Sequence, residues 1–263
     1  MRQLGGDGVH DRKRYGPATR TVTPLLPAET ARRAGLAYTL WLPPGAKQPP
    51  SAGVVILHGA GSRKESHHDY ARAAVAQGLA AIAFDQRGHG DSEGRLDGRA
   101  VEDVATIAAT LREAIGDGRA PVALRGSSMG GYLAIIAAQP TRAAAVVAIC
   151  PASASGLRRG LAAGDFAFDA DGRALDAFLE AHELEPAVSE LTAPLLLLHA
   201  EGDERVPVEH SRELARAMSS PGSRLIVIPG GHHRSIQHDQ ELQGVSLQFI
   251  ERALRAARRD RLA

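Results

Sequence analysis

Short uninterrupted apolar runs recur along the chain and alternate with stretches of helical spacing. GVVILHG (53–59), LAAIAFD (79–85), PVALRG (121–126), AAVVAIC (144–150), PLLLLHAEGD (194–203) and SRLIVIPG (223–230) are the runs. A strand apolar at successive positions has no polar face, so it must be covered on both sides, as in a parallel sheet. Between the runs, DYARAAVAQG, MGGYLAIIAAQ and VEHSRELARAM read as helices, the last with Pro207 at its start. Val101, Val104, Ile107, Ala108, Leu111 and Ile115 keep helical spacing, and Leu242, Val245, Phe249, Ala253 and Leu254 mark a closing helix. GLAYTLWLPPG (35–45) alternates and then meets prolines, which places it as an outer strand. The expected fold class is α/β, a mostly parallel central sheet flanked by helices.

A chain of 263 residues is long enough to bury a large core within one α/β unit. Residues 1–35 are rich in Gly, Pro and Arg without a period and read as an extended N-terminal arm. The main domain is expected over 36–255. No strand-like run occurs between Cys150 and Pro194, while Leu175, Phe178, Leu179 and His182 have helical spacing. Residues 151–193 are therefore expected to form a small helical cap over the carboxyl edge of the sheet. Residues 256–263 are a basic C-terminal tail, within RALRAARRDRLA, read as the solvated end of the last helix.

Composition removes several function classes. The formal net charge is +1, which gives no global field favouring nucleic acid. Cys150 is the single cysteine, so neither an internal disulfide nor a multi-cysteine metal site is available. No apolar run approaches a membrane span, and the first residues lack the apolar core of a signal peptide. A cytoplasmic location is the expectation, with no nucleic-acid or membrane partner.

Ligands of open α/β sheets gather beyond the carboxyl ends of the strands. The strands deliver His58, Gly59 and Ala60, then Asp85, Ser127 with Ser128, Cys150, Asp203, and finally His232 with His233. A serine, an acid and a histidine thus follow in chain order, each just past a strand. Gly126-Ser127-Ser128-Met129-Gly130 fits G-x-S-x-G between a strand and a helix, a turn that lifts the central serine above the sheet. Serine needs a base to take its proton, and IPGGHHRSIQHD offers His232, His233 and His238.

Five ordered segments carry a family resemblance. LHGAGS resembles the H-G oxyanion loop of the α/β-hydrolase fold family, and FDQRGHGDSEG its D-x-R-G-x-G-x-S segment. GSSMGG resembles the nucleophile elbow, HAEGDERVP the acid loop, and IPGGHH the histidine loop. The resemblance covers about residues 36–255 and lies nearest the serine esterase and dienelactone-hydrolase branch. It implies Ser128 as nucleophile, Asp203 as acid with Glu201 as the lesser candidate, and His233 as base with His232 as the alternative. The oxyanion would be held by the backbone N–H groups of Ala60 and Met129. No metal or organic cofactor is implied.

The expected function is hydrolysis of carboxylic esters of small to medium acyl groups through an acyl-enzyme. An amidase or peptidase, or a dienelactone or thioester hydrolase, would use the same residues. A low-turnover small-molecule binder is the rival from another class. His58 is expected to order its loop, Cys150 to pack near its strand end, and Asp85, Arg87, Asp91 and Ser92 to fix a loop through local bonds. Gly88-His89-Gly90 and Gly94 miss the dinucleotide spacing by one residue, and GSSMGG lacks a phosphate loop's Lys. His67, His68 and Asp69 are adjacent on a helix start and point apart, so a metal role is not expected.

Overall fold

A computed structural model of the protein describes residues 25–45 and 49–262. Its centre is an eight-stranded sheet. The strands are β1 (Glu29–Arg33), β2 (Leu36–Trp41), β3 (Gly53–Leu57), β4 (Ala80–Phe84), β5 (Val122–Ser127), β6 (Ala145–Ile149), β7 (Leu195–Ala200) and β8 (Arg224–Ile228). They lie in the order β1-β2-β4-β3-β5-β6-β7-β8. β3 to β8 are mutually parallel, while β2 runs antiparallel to both β1 and β4. The apolar runs form the parallel part, and β3, β4, β5, β6 and β7 are buried along their whole lengths.

Successive strand side chains point to opposite faces, so each run feeds two cores. Val55, Leu57 and Leu124 pack with α2 (Ala100–Ile115) and α3 (Met129–Ile136) on one face. Val54, Ile56 and Val147 pack with α1 (His68–Ala76) and α8 (Gln240–Leu262) on the other. α7 (Val208–Ala217) packs on β7 and β8 at the far edge.

Two expected boundaries change. Of the stretch read as an arm, residues 1–24 lie outside the described residues, but Glu29–Arg33 is a strand paired with β2 from Glu29↔Leu40 to Arg33↔Leu36. ETARR is mostly exposed at the sheet edge, where backbone pairing rather than apolar burial holds it. The basic end belongs to the last helix, as the sequence suggests, and the domain boundary at 255 moves outward because α8 continues to Leu262. Its Ala, Leu and Arg residues are good helix formers, and cations suit a helix C-terminus.

Residues 151–193 contain α4 (Ala154–Ala163), α5 (Gly172–Ala181) and α6 (Leu184–Ser189). Ser153 and Asp171 cap the first two, accepting from the N–H groups of Gly156 and Ala174 at 3.0 Å each. Leu175, Phe178 and Leu179 are the buried face of α5. Tyr132 Oη on α3 donates to His182 O at 2.7 Å, fastening this segment beside the elbow helix.

Candidate active site

Ser128 sits between β5 and α3 with φ 53° and ψ −120°. A non-glycine residue seldom adopts this backbone, and its surroundings must hold it there. Two glycines make the turn possible. A Cβ on Gly126 would lie 2.0 Å from Gly130 O, and one on Gly130 would lie 2.4 Å from Leu57 O. Ser128 N–H donates to Ile149 O at 2.9 Å, tying the turn to β6. Ser127 is buried, whereas Ser128 is partly open.

The acid and histidine loops meet beyond β7 and β8. Gly202 N–H donates to Gly230 O at 3.0 Å, and His233 N–H donates to Glu204 Oε2 at 3.0 Å. His233 Nδ1 then lies 2.7 Å from Asp203 Oδ2, with the Asp203 side chain fully buried. That contact fixes Nδ1 as the protonated nitrogen and leaves Nε2 as the basic one. His232 is exposed, and Glu201 pairs with Arg212 at 3.4 Å instead of meeting a histidine. Of the alternatives, the fold thus brings Asp203 and His233 together.

Burial alone would raise Asp203. The bonds from His199 and His233 and the N–H groups of Val206 and Arg205 override it and hold the carboxylate well below its usual range. His199 has no role assigned by any motif in the sequence. Its Nε2 lies 2.9 Å from Val206 O and 3.5 Å from Asp203 Oδ2, and its Nδ1 lies 2.7 Å from Ser211 Oγ. Nε2–H donates to Val206 O, with Asp203 Oδ2 a longer second acceptor, while Ser211 donates to Nδ1. Its only signal in the sequence is a lone polar residue inside the apolar run of β7. Cys150 is buried, and its Sγ, an Asp203 oxygen and a His233 ring nitrogen all lie within 4.8 Å of one another. Burial first, and then the Asp203 charge, push this thiol up.

Met129 follows Ser128 directly, and Ala60 follows Gly59, where an added Cβ would lie 3.2 Å from Ser128 Cβ. Among the described residues neither N–H is engaged by a protein acceptor. The Ala60 loop is ordered by two histidines. His58 Nε2 accepts from Gln86 N–H at 3.0 Å, so its Nδ1–H donates to Gly59 O at 2.8 Å. His89 Nε2 accepts from Gly61 N–H at 3.1 Å. Burial, and then His89, push His58 down to about 4, so it is neutral in the folded protein. The loop after β4 is fixed as expected: Asp85 takes Lys64 Nζ at 2.7 Å and Asp91 N–H at 2.9 Å, Ser92 donates to Asp85 O, and Arg87 Nε holds Asp103 at 2.9 Å. A small apolar cavity of about 10 Å³ lies next to Met129, lined by Tyr132 of α3 and by Leu157, Phe168, Leu175 and Phe178 of residues 151–193.

The sequence matches the family described as "Serine aminopeptidase, S33" over residues 48–166 and 172–241. The chain belongs to this family of α/β hydrolases. This S33 hydrolase is 27% identical over 252 residues to a monoacylglycerol lipase of Mycolicibacterium smegmatis, covering 78% of the present chain and 88% of the relative. It also resembles the monoacylglycerol lipase of Paleococcus ferrophilus, with a TM-score of 0.63, 22% identity, and 83% and 98% of the two chains covered. Est1E from Butyrivibrio proteoclasticus with bound ferulic acid aligns with a TM-score of 0.65, 20% identity, and 87% and 98% coverage. These likenesses place the S33 hydrolase on the α/β-hydrolase fold. No helix among its described residues is long and apolar enough to cross a membrane.

Proposed function

We propose that the protein hydrolyses carboxylic esters through an acyl-enzyme on Ser128. His233 Nε2 takes the serine proton as Oγ attacks the acyl carbon, and Asp203 holds the ring in the required tautomer. The N–H groups of Ala60 and Met129 receive the developing oxyanion, each worth roughly 3 kcal/mol in the transition state. His233 then gives its proton to the leaving alcohol. Water, activated by the same nitrogen, releases the acid and restores Ser128.

The observation that carries this reading is the 2.7 Å contact of His233 Nδ1 with a fully buried Asp203 carboxylate. Such a pair leaves one imidazole nitrogen free to take the proton of Ser128. The apolar lining beside Met129 favours an uncharged acyl group. The lipase and esterase relatives support an ester, while the family description keeps amide hydrolysis as the alternative.

The test combines p-nitrophenyl esters of graded acyl length, a matched amide, and a fluorophosphonate label mapped by mass spectrometry. The expected result is ester turnover above amide turnover, an adduct on Ser128, and a fall in kcat of at least about 10⁴-fold in Ser128→Ala. An unlabelled Ser128 with full activity in that variant would refute the reading.

A further inference from the structure

A second concave feature lies at the opposite end of the sheet from Ser128. The turns entering β5 and β6 and the last turns of α8 enclose a cleft of about 670 Å³. That size falls within the range of small-ligand sites. Arg112, Arg119, Arg142 and Arg261 line it, and no Asp or Glu does. The whole chain carries a formal charge of only +1, so gathering four guanidinium groups here does not follow from composition. A concave wall of one sign concentrates the field toward its centre.

The arginines are held differently. Arg112 Nε donates to Ala120 O at 3.0 Å and its Nη2 to Thr141 O at 2.8 Å, so it pins both turns. Arg261 pairs with Asp117 at 3.1 Å and donates to Arg119 O. Among the described residues, the Arg119 and Arg142 side chains have neither an ion pair nor a hydrogen bond. Arg142 also has φ 50°, a left-handed backbone that disfavours a long side chain. Burial, and then the Arg142 charge, push Arg112 below its ordinary value, while Asp117 pulls the other way.

We propose that this cleft binds a phosphate-bearing anion through Arg119 and Arg142, with Arg112 and Arg261 completing the wall. Guanidinium groups present paired N–H donors that match phosphate oxygens. The six residues of β5 separate the cleft from the elbow by roughly 20 Å, so the bound anion takes no part in the chemistry at Ser128. The inference does not depend on the ester reading, and ester turnover serves as an independent control.

The phosphate can belong to a soluble molecule or to an anionic lipid headgroup, and two probes separate these. Pyrophosphate is titrated calorimetrically into the full chain, and the chain is co-sedimented with phosphatidylcholine vesicles with and without phosphatidylglycerol. Arg119→Gln with Arg142→Asn removes the two unpaired charges, and Asn suits the left-handed position. At least one probe is expected to bind, about tenfold or more weaker in the double variant, with ester turnover unchanged and binding falling as salt rises. Binding of pyrophosphate alone assigns a soluble ligand, binding of the anionic vesicles alone assigns a headgroup, and binding of both assigns the shared phosphate group. Binding of neither probe, or equal binding by the double variant, overturns the proposal.

Discussion

His199 Nδ1 lies 2.7 Å from Ser211 Oγ while its Nε2 lies 3.5 Å from Asp203 Oδ2, and all of the His199 side chain is buried. The acid that orients His233 is thus itself oriented from behind. The same Nε2–H donates to Val206 O at 2.9 Å, so Asp203 receives the longer arm of a shared hydrogen bond. His199→Leu removes it and strands the Ser211 hydroxyl. The expected outcome is a fall in kcat on a p-nitrophenyl ester of about tenfold or more, with KM little changed. Ser211→Ala should have the smaller effect, because it leaves Nε2–H in place. Equal kcat in His199→Leu and the wild type would remove His199 from the positioning of Asp203.

The elbow predicts a sharp contrast among glycine substitutions. Alanine at Gly126 or Gly130 would set a methyl 2.0 or 2.4 Å from a backbone oxygen that belongs to the neighbouring turn or strand. Neither acceptor is a flexible side-chain end, so the turn must open and Ser128 must leave its φ 53° conformation. Each variant should lose most ester activity and unfold at lower urea. Gly172→Ala, at the start of α5, meets nothing within 4 Å and should keep wild-type activity and stability. Purified protein, circular dichroism and one ester assay suffice to compare the three.

Much of this was legible in the sequence because the physics behind it is local. A strand buried on both faces must be largely apolar, so β3 to β7 announced themselves despite Arg125 and His199. The elbow glycines had to stand two residues either side of the serine, and that spacing survives in any chain order. β1 was illegible because ETARR is an edge held by backbone pairing, with no apolar pattern to display. His199 was illegible because one histidine in LLLLHA looks the same whether it packs or supports an acid. The arginine cleft draws on residues 112, 119, 142 and 261, which only the folded sheet brings together. The family spacing points to His233 over His232, and the fold adds which of the two faces Asp203.

Lys64 and Asp85 form a buried pair, with Nζ 2.7 Å from Oδ2 and side chains 2% and 0% exposed. Lys64 lies four residues beyond Ala60 in the chain. Removing one partner of a buried pair leaves an uncompensated charge and costs about 3–5 kcal/mol. Lys64→Met should therefore lower the urea midpoint severely. Asp91 also touches Lys64 Nζ at 2.7 Å, but its side chain is 69% exposed. Water replaces much of what Asp91→Asn removes, so its midpoint should shift little. Similar losses in the two variants would show that burial does not set the strength of this network.

The last prediction concerns acid. His58 is pushed down to about 4 by burial and then by His89, and His67 also lies well below its ordinary value, chiefly through burial. In the unfolded chain both return to about 6.5. Between those values the unfolded state takes up protons that the folded state refuses. Stability is therefore fully present above pH 6.5 and is lost as pH falls from there toward 4. For His58 alone the span corresponds to about 3 kcal/mol. Asp203 acts lower on the scale: held below its usual range, it contributes stability above about pH 4 that is lost only in stronger acid. The urea midpoint should fall steeply between pH 6.5 and 4.5 in the wild type. His58→Asn keeps an N–H donor beside Gly59 O but cannot titrate, so its midpoint should start lower at pH 7 and decline less steeply. Parallel curves for the two proteins would show that His58 is not excluded from protonation by the fold.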